Sequence, residues 1–136
     1  MDTTAILESI AGYNRVINDC NNSIAVLDKQ DQEIDAAKKS LEDLRGDISQ
    51  EIYNFLSNTS FVENTGEWVG TKYDFYLEGR RTLIQYENEY VSDIDDVTDN
   101  VIPRKKKEIK NKKNELNEKI KDCREKIDEL ESMLNV

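Results

Sequence analysis

Histidine is missing altogether from the 136 residues, and proline occurs once, at Pro103. Without an imidazole, the chain lacks the usual nitrogen ligand for zinc or copper. It also lacks the base of Ser-His and Cys-His nucleophile pairs. The two cysteines, Cys20 and Cys123, show no metal-ligand spacing, and the five glycines match neither phosphate-binding signature. Carboxylate pairs such as Asp95 with Asp96, or Glu87 with Glu89, are common. On a solvated helix face such pairs are ordinary surface. With no catalytic constellation and no cofactor motif, the sequence points away from an enzyme.

The remaining shortages bear on architecture and compartment. One proline and five glycines leave few places for the chain to turn, and strand-like alternation of apolar and polar residues is absent. The first residues, Met1-Asp2-Thr3-Thr4, are acidic and polar, unlike the basic opening of a secretory leader. No run approaches the roughly 18 apolar residues of a membrane span. A cytoplasmic protein is expected, and any export would need a non-standard route. Cys20 and Cys123 each fall on an apolar stripe and read as small buried hydrophobes in a reducing compartment. A hairpin turning near residue 62 would put Cys20 opposite about residue 104, too far from Cys123 for a disulfide.

What the chain has in quantity is charge. Charged residues make up 35% and the hydrophobic set 37%, a composition of long two-faced helices rather than of a thick core. The net charge of −10 is uneven, with +3 on residues 104–136 and −13 on the rest. That field disfavours nucleic-acid binding by the first 103 residues and favours solubility or a basic partner.

Three stripes organise the helices. Ile6, Ile10, Tyr13, Ile17, Cys20, Ile24 and Leu27 step by four and three, a heptad seam. Asp31 takes the next place, and the stripe resumes after a shortened step at Ile34, Ala37, Leu41, Leu44, Ile48, Ile52 and Phe55. The slip predicts local overwinding near residue 31. This first helix is expected from about Thr3 to about Leu56, followed by a connection over about 57–64. There Phe61 and Val62 would pack back as a plug, and Asn64-Thr65-Gly66-Glu67 reads as a capping box.

The second helix, about 65–102, carries Val69, Tyr73, Tyr76, Leu83, Tyr90, Ile94, Val97 and Val101 on one face. A partial stripe of Trp68, Phe75, Gly79 and Tyr86 lies on another. Two apolar faces on one helix imply a contact beyond its hairpin partner. The tyrosines supply contact area with a hydroxyl that tolerates water, as at interfaces. The third pattern, about 103–135, is Ile109, Lys113, Leu116, Ile120, Cys123, Ile127, Leu130 and Leu134. Its phase differs by one residue from the second, and the slip falls just before Pro103.

The expected fold is all-α, a single domain built as an elongated antiparallel helical hairpin or coiled coil with its second arm kinked near Pro103. A three-helix bundle reversing near Pro103 is the alternative. It is disfavoured because Asp99-Asn100-Val101-Ile102-Pro103 offers little of a turn. The basic run that follows would also oppose the dipole of a new helix start. That run, residues 104–113, could meet an anionic surface or an acidic partner. It has no interleaved aromatics, and a solvated helix face explains it well.

A Trp-x-Gly at the junction of a long helical hairpin resembles the small WXG-type proteins of Gram-positive type VII secretion. The fuller segment Glu67-Trp68-Val69-Gly70-Thr71-Lys72-Tyr73-Asp74-Phe75, followed by an acidic and then a lysine-rich helix, is similar to the YwqH-like family associated with LXG toxins. The resemblance implies a non-enzymatic helical adaptor or targeting factor. It would bind the LXG domain of a toxin, with a second small helical accessory protein as a further partner, and would travel to or through the secretion machine with that complex. The departure is that no tyrosine or phenylalanine here is followed four residues later by an acid, the export signal of WXG proteins. The expected partner-binding residues are Trp68, Gly70, Tyr73, Phe75, Tyr76, Leu83, Tyr86 and Tyr90. A cytosolic coiled-coil scaffold that self-associates as a homo-oligomer, without a secretion role, is the competing expectation.

Overall fold

The computed structural model describes residues 2–65 and 71–135, with side chains over 2–57 and 74–135. The described chain is all-helical: α1 spans Thr3–Thr65, α2 Thr71–Asp96, a π-helical turn Val97–Val101, and α3 Ile102–Leu134. Asp2 caps the start of α1, its Oδ1 accepting from the Ala5 amide at 2.9 Å and its carbonyl from the Ile6 amide at 3.1 Å. A carboxylate there satisfies an orphan donor and complements the helix dipole. The sequence places the end of this helix near Leu56, but α1 continues to Thr65. Ser57-Asn58-Thr59-Ser60 lowers helix propensity by only tenths of a kcal/mol per residue (roughly 0.5 each) and contains neither glycine nor proline. The expected plug at Phe61 and Val62, and the capping box at 64–67, lie outside the described side chains.

The chain divides into two compact units, Met1–Ile34 with Arg104–Val136 and Asp35–Pro103. In the first, α1 and α3 run antiparallel. Asp28 pairs with Lys113 at 2.6 Å and Asp31 with Lys106 at 3.5 Å, so rising numbers on one arm meet falling numbers on the other. Its buried seam is Ile6, Cys20 and Leu27 with Ile109, Ile120, Cys123 and Ile127. These ion pairs correct the register expected from a turn near residue 62. Stepping outward from them puts Cys20 opposite about residues 117–121, so the two buried free cysteines share one stretch of the seam.

In the second unit, α1 runs antiparallel to α2. Arg45 meets Asp95, while Ile52 and Phe55, further along α1, lie beside Phe75 and Leu83, further back on α2. Among the described residues only Ile94 and Ile102 are buried apolar side chains here, with Thr98 the buried polar one. The expected slip in the first stripe does not occur. Inward positions on α1 are Asp31, Ile34, Lys38, Leu41, Ile48, Ile52 and Leu56, all half-buried, with Arg45 joining them through its ion pair. The seam keeps a heptad rhythm with charged residues at three of its places. Ala37, Leu44 and Phe55, expected in the seam, are exposed.

The phase change near Pro103 has a local cause. The Ile102 amide donates to the Val97 carbonyl, a five-residue loop in place of the usual four. A π-turn inserts one residue into a helix, the offset read from the sequence. Inward residues therefore step by four three times, Ile94, Thr98, Ile102 and Lys106, before the alternation of three and four resumes at Ile109. Pro103 sits two residues beyond the turn, where a regular helix would need an amide it lacks. The Thr98 hydroxyl donates back to the Asp95 carbonyl at 3.3 Å, a local bond that satisfies this part-buried polar side chain. The chain passes from α2 to α3 through this turn without a reversing loop, so the hairpin holds and the three-helix alternative does not.

Candidate interaction surface

The two units differ in how well they cover their apolar side chains. Of the ten large hydrophobics that are exposed among the described residues, Leu44, Tyr53, Phe55, Phe75, Tyr86, Tyr90 and Val101 belong to the second unit. Surplus apolar surface is thus concentrated between Asp35 and Pro103, where contiguous patches of this kind mark interaction sites.

Helical geometry gathers much of that surplus on one side. At 100° per residue, Ala37, Leu44 and Phe55 share a face of α1, and Phe75, Gly79, Tyr86 and Tyr90 share a face of α2. Phe55 and Phe75 line the same groove, of about 590 Å³, together with Glu51, Ile52, Tyr76, Gly79, Arg80 and Leu83. Phe75 is 69% exposed, Tyr86 55% and Tyr90 60%, so their rings present edges and faces to solvent rather than to the hairpin partner. Gly79 is among the lining residues, and a Cβ placed on it would meet nothing within 4 Å. A second concavity, along Arg81, Ile84, Gln85, Asn88, Glu89, Ser92 and Asp93, follows a largely polar side of one helix, with Ile84 its one apolar side chain.

Of the eight residues expected to bind a partner, Phe75, Tyr76 and Leu83 come together in the groove, and Tyr86 and Tyr90 extend the same helix toward Asp96. Trp68 and Gly70 lie outside the described residues, as does the Tyr73 side chain. The sequence pattern gives Phe55 an inward place, so it does not reveal the α1 wall of the groove, which Glu51, Ile52 and Phe55 form. The signal was present in the apparent phase slip, which is two interleaved stripes rather than one displaced stripe.

Acidic side chains border the surface, and pairing elsewhere is electrostatic. Arg45 and Asp95 form a two-point contact, and the hydrogen bond that the guanidinium donates to Asp95 holds it above its ordinary pKa. Lys113 is likewise raised, chiefly by its hydrogen bond to Asp28. A hairpin turning near residue 62 would set the basic run of α3 opposite residues of about 11–20. Two of its lysines instead meet Asp28 and Asp31, and Arg104, Lys105, Lys107, Lys110 and Lys112 stay exposed. Among the described residues no three histidine, cysteine or carboxylate side chains converge to hold a metal ion, and no helix is long and apolar enough to cross a membrane. Compared with family models, curated proteins and solved structures, the chain matches none.

Proposed function

We propose that this protein is a non-enzymatic helical adaptor that binds a helical partner through the second unit, and that the partner is the LXG domain of a toxin exported by type VII secretion. The observation that carries the binding part is the exposure of Phe75, Tyr86 and Tyr90 beside the groove that Phe55 and Leu83 line. Aromatic side chains of this kind bury large areas at little conformational cost and dominate helix-on-helix recognition. The LXG assignment rests on the resemblance of the segment 67–75 to the YwqH-like family.

The test is coexpression with an LXG-domain fragment followed by affinity purification. The fragment is expected to copurify with the wild-type chain and to be lost when Phe75→Ala and Tyr86→Ala are combined. Both side chains are exposed, so the variant keeps its fold and helical circular dichroism. An LXG fragment that never copurifies contradicts the targeting role. One that binds the double variant equally well contradicts the surface.

A further inference from the structure

From the groove and its borders we infer the chemistry of the occupant: an amphipathic helix of about four turns, with an aliphatic stripe flanked by lysine or arginine, laid between α1 and α2 of the second unit. This deepens the adaptor reading and rests on it. Two observations support it independently of any resemblance. The first is shape. The faces of Ala37, Leu44 and Phe55 on α1 and of Phe75, Gly79, Tyr86 and Tyr90 on α2 turn to the same side of the pair, as the groove shared by Phe55 and Phe75 requires. From Phe75 to Tyr90 the face runs about 22 Å, the rise of about four helical turns. A third helix seated there would cover it as a bundle helix covers its neighbours, and bare Gly79 lets its backbone come close.

The second observation is charge. The second unit holds fifteen acidic and six basic residues, a net of −9, against −1 for the rest of the chain. The acids are placed along the outer borders of the apolar face. By helical angle Asp47 and Glu51 edge it on α1, while Glu78, Glu89 and Asp93 edge it on α2, and all five are exposed. Within the groove itself one acid, Glu51, and one cation, Arg80, stand among the lining residues, so the acidic excess lies along its outer borders. Arg81 lies on the opposite side of α2 by the same angular count. A helix whose own stripe is flanked by acids would meet like charge on both edges. One flanked by lysines meets opposite charge on both, as at e and g positions of paired helices.

The experiment uses the full chain and two fluorescein-labelled 18-residue peptides of about five turns. They share one leucine heptad stripe and differ only in having lysine or glutamate at the flanking positions. Fluorescence anisotropy is expected to show binding of the lysine peptide, weakening at least tenfold between about 50 and 300 mM salt. The glutamate peptide should not bind. Phe75→Ser with Tyr86→Ser should weaken the lysine peptide at least tenfold while circular dichroism stays unchanged. Equal binding of both peptides, or equal binding by the serine variant, overturns the inference. So does sedimentation showing a dimer of the chain that the serine substitutions dissolve, because the occupant is then a second copy. If neither peptide binds while an LXG fragment still copurifies through the same face, the basic-flanked occupant is wrong and the adaptor reading stands. Failure of both removes the surface altogether.

Discussion

Arg45 and Asp95, fifty positions apart in sequence, face each other across α1 and α2, with Nε 2.7 Å from Oδ1 and Nη2 3.3 Å from Oδ2. The contact is planar and two-pointed, the geometry that fixes one side chain's position against another. It is also solvent-exposed, at 45% and 40% of the two side chains, so it sets alignment more than stability. Asp95→Ala is expected to lower Tm by no more than about 5 °C. Exchanging the charges, Arg45→Asp with Asp95→Arg, should recover most of that loss. Thermal circular dichroism on the two variants reads both.

Lys113 gives a stability dependence with a definite sign. Its pKa is raised above the ordinary lysine value of 10.5 by the bond to Asp28, so the folded state holds the proton more tightly than the unfolded chain. The contribution is whole below 10.5 and is lost as pH rises through the folded value. The Tm difference between the wild-type chain and Lys113→Met should be constant from pH 7 to 9 and shrink above 10.5. A difference that shrinks on acidification within pH 7–9 contradicts the assignment.

The π-turn before Pro103 is a register device, and deleting a residue should test it. Removing Asp99 together with Pro103→Ala returns Ile94, Thr98, Ile102 and Lys106 to an uninterrupted alternation of four and three. This variant should keep its helical signal, with a Tm within about 5 °C of wild type. Pro103→Ala alone should leave the turn in place, because the seam still contains the extra residue. Loss of cooperative unfolding in the deletion variant would show that the turn holds more than phase.

How much of this was legible beforehand depended on what the residues compete for. Long heptad stripes and the scarcity of breakers specified helices, hairpin and the one-residue offset near Pro103. The phase of α1 beyond Asp31 differs from the one its apolar residues suggest. Ala37, Leu44 and Phe55 look like a seam to a pattern that counts apolar residues, while the true inward places at Lys38 and Arg45 are charged. Nothing in the local sequence says that Arg45 should face a partner arm, since that depends on Asp95, far along the chain. Phe75 and Tyr86 are readable as a second face because they fall outside the stripe that the hairpin needs, whereas Tyr90 and Val101, which the pattern places in that stripe, are exposed.

The difference between the inward and outward stripes can be measured directly. Ile120→Ala removes side-chain atoms from a residue 5% exposed and should cost about 2–4 kcal/mol. Leu44→Ala acts on a side chain 48% exposed and should cost less than about 1 kcal/mol. Urea titrations that give the two substitutions the same penalty would place Leu44 back in the seam.

The account turns on which part of the molecule a partner covers. Hydrogen-exchange mass spectrometry of the chain, free and bound to an LXG fragment, reads this without any substitution. Slowed exchange confined to α1 residues 37–55 and α2 residues 75–90 is the predicted result. Protection confined to residues 6–34 and 104–134, with 75–90 unchanged, would contradict it.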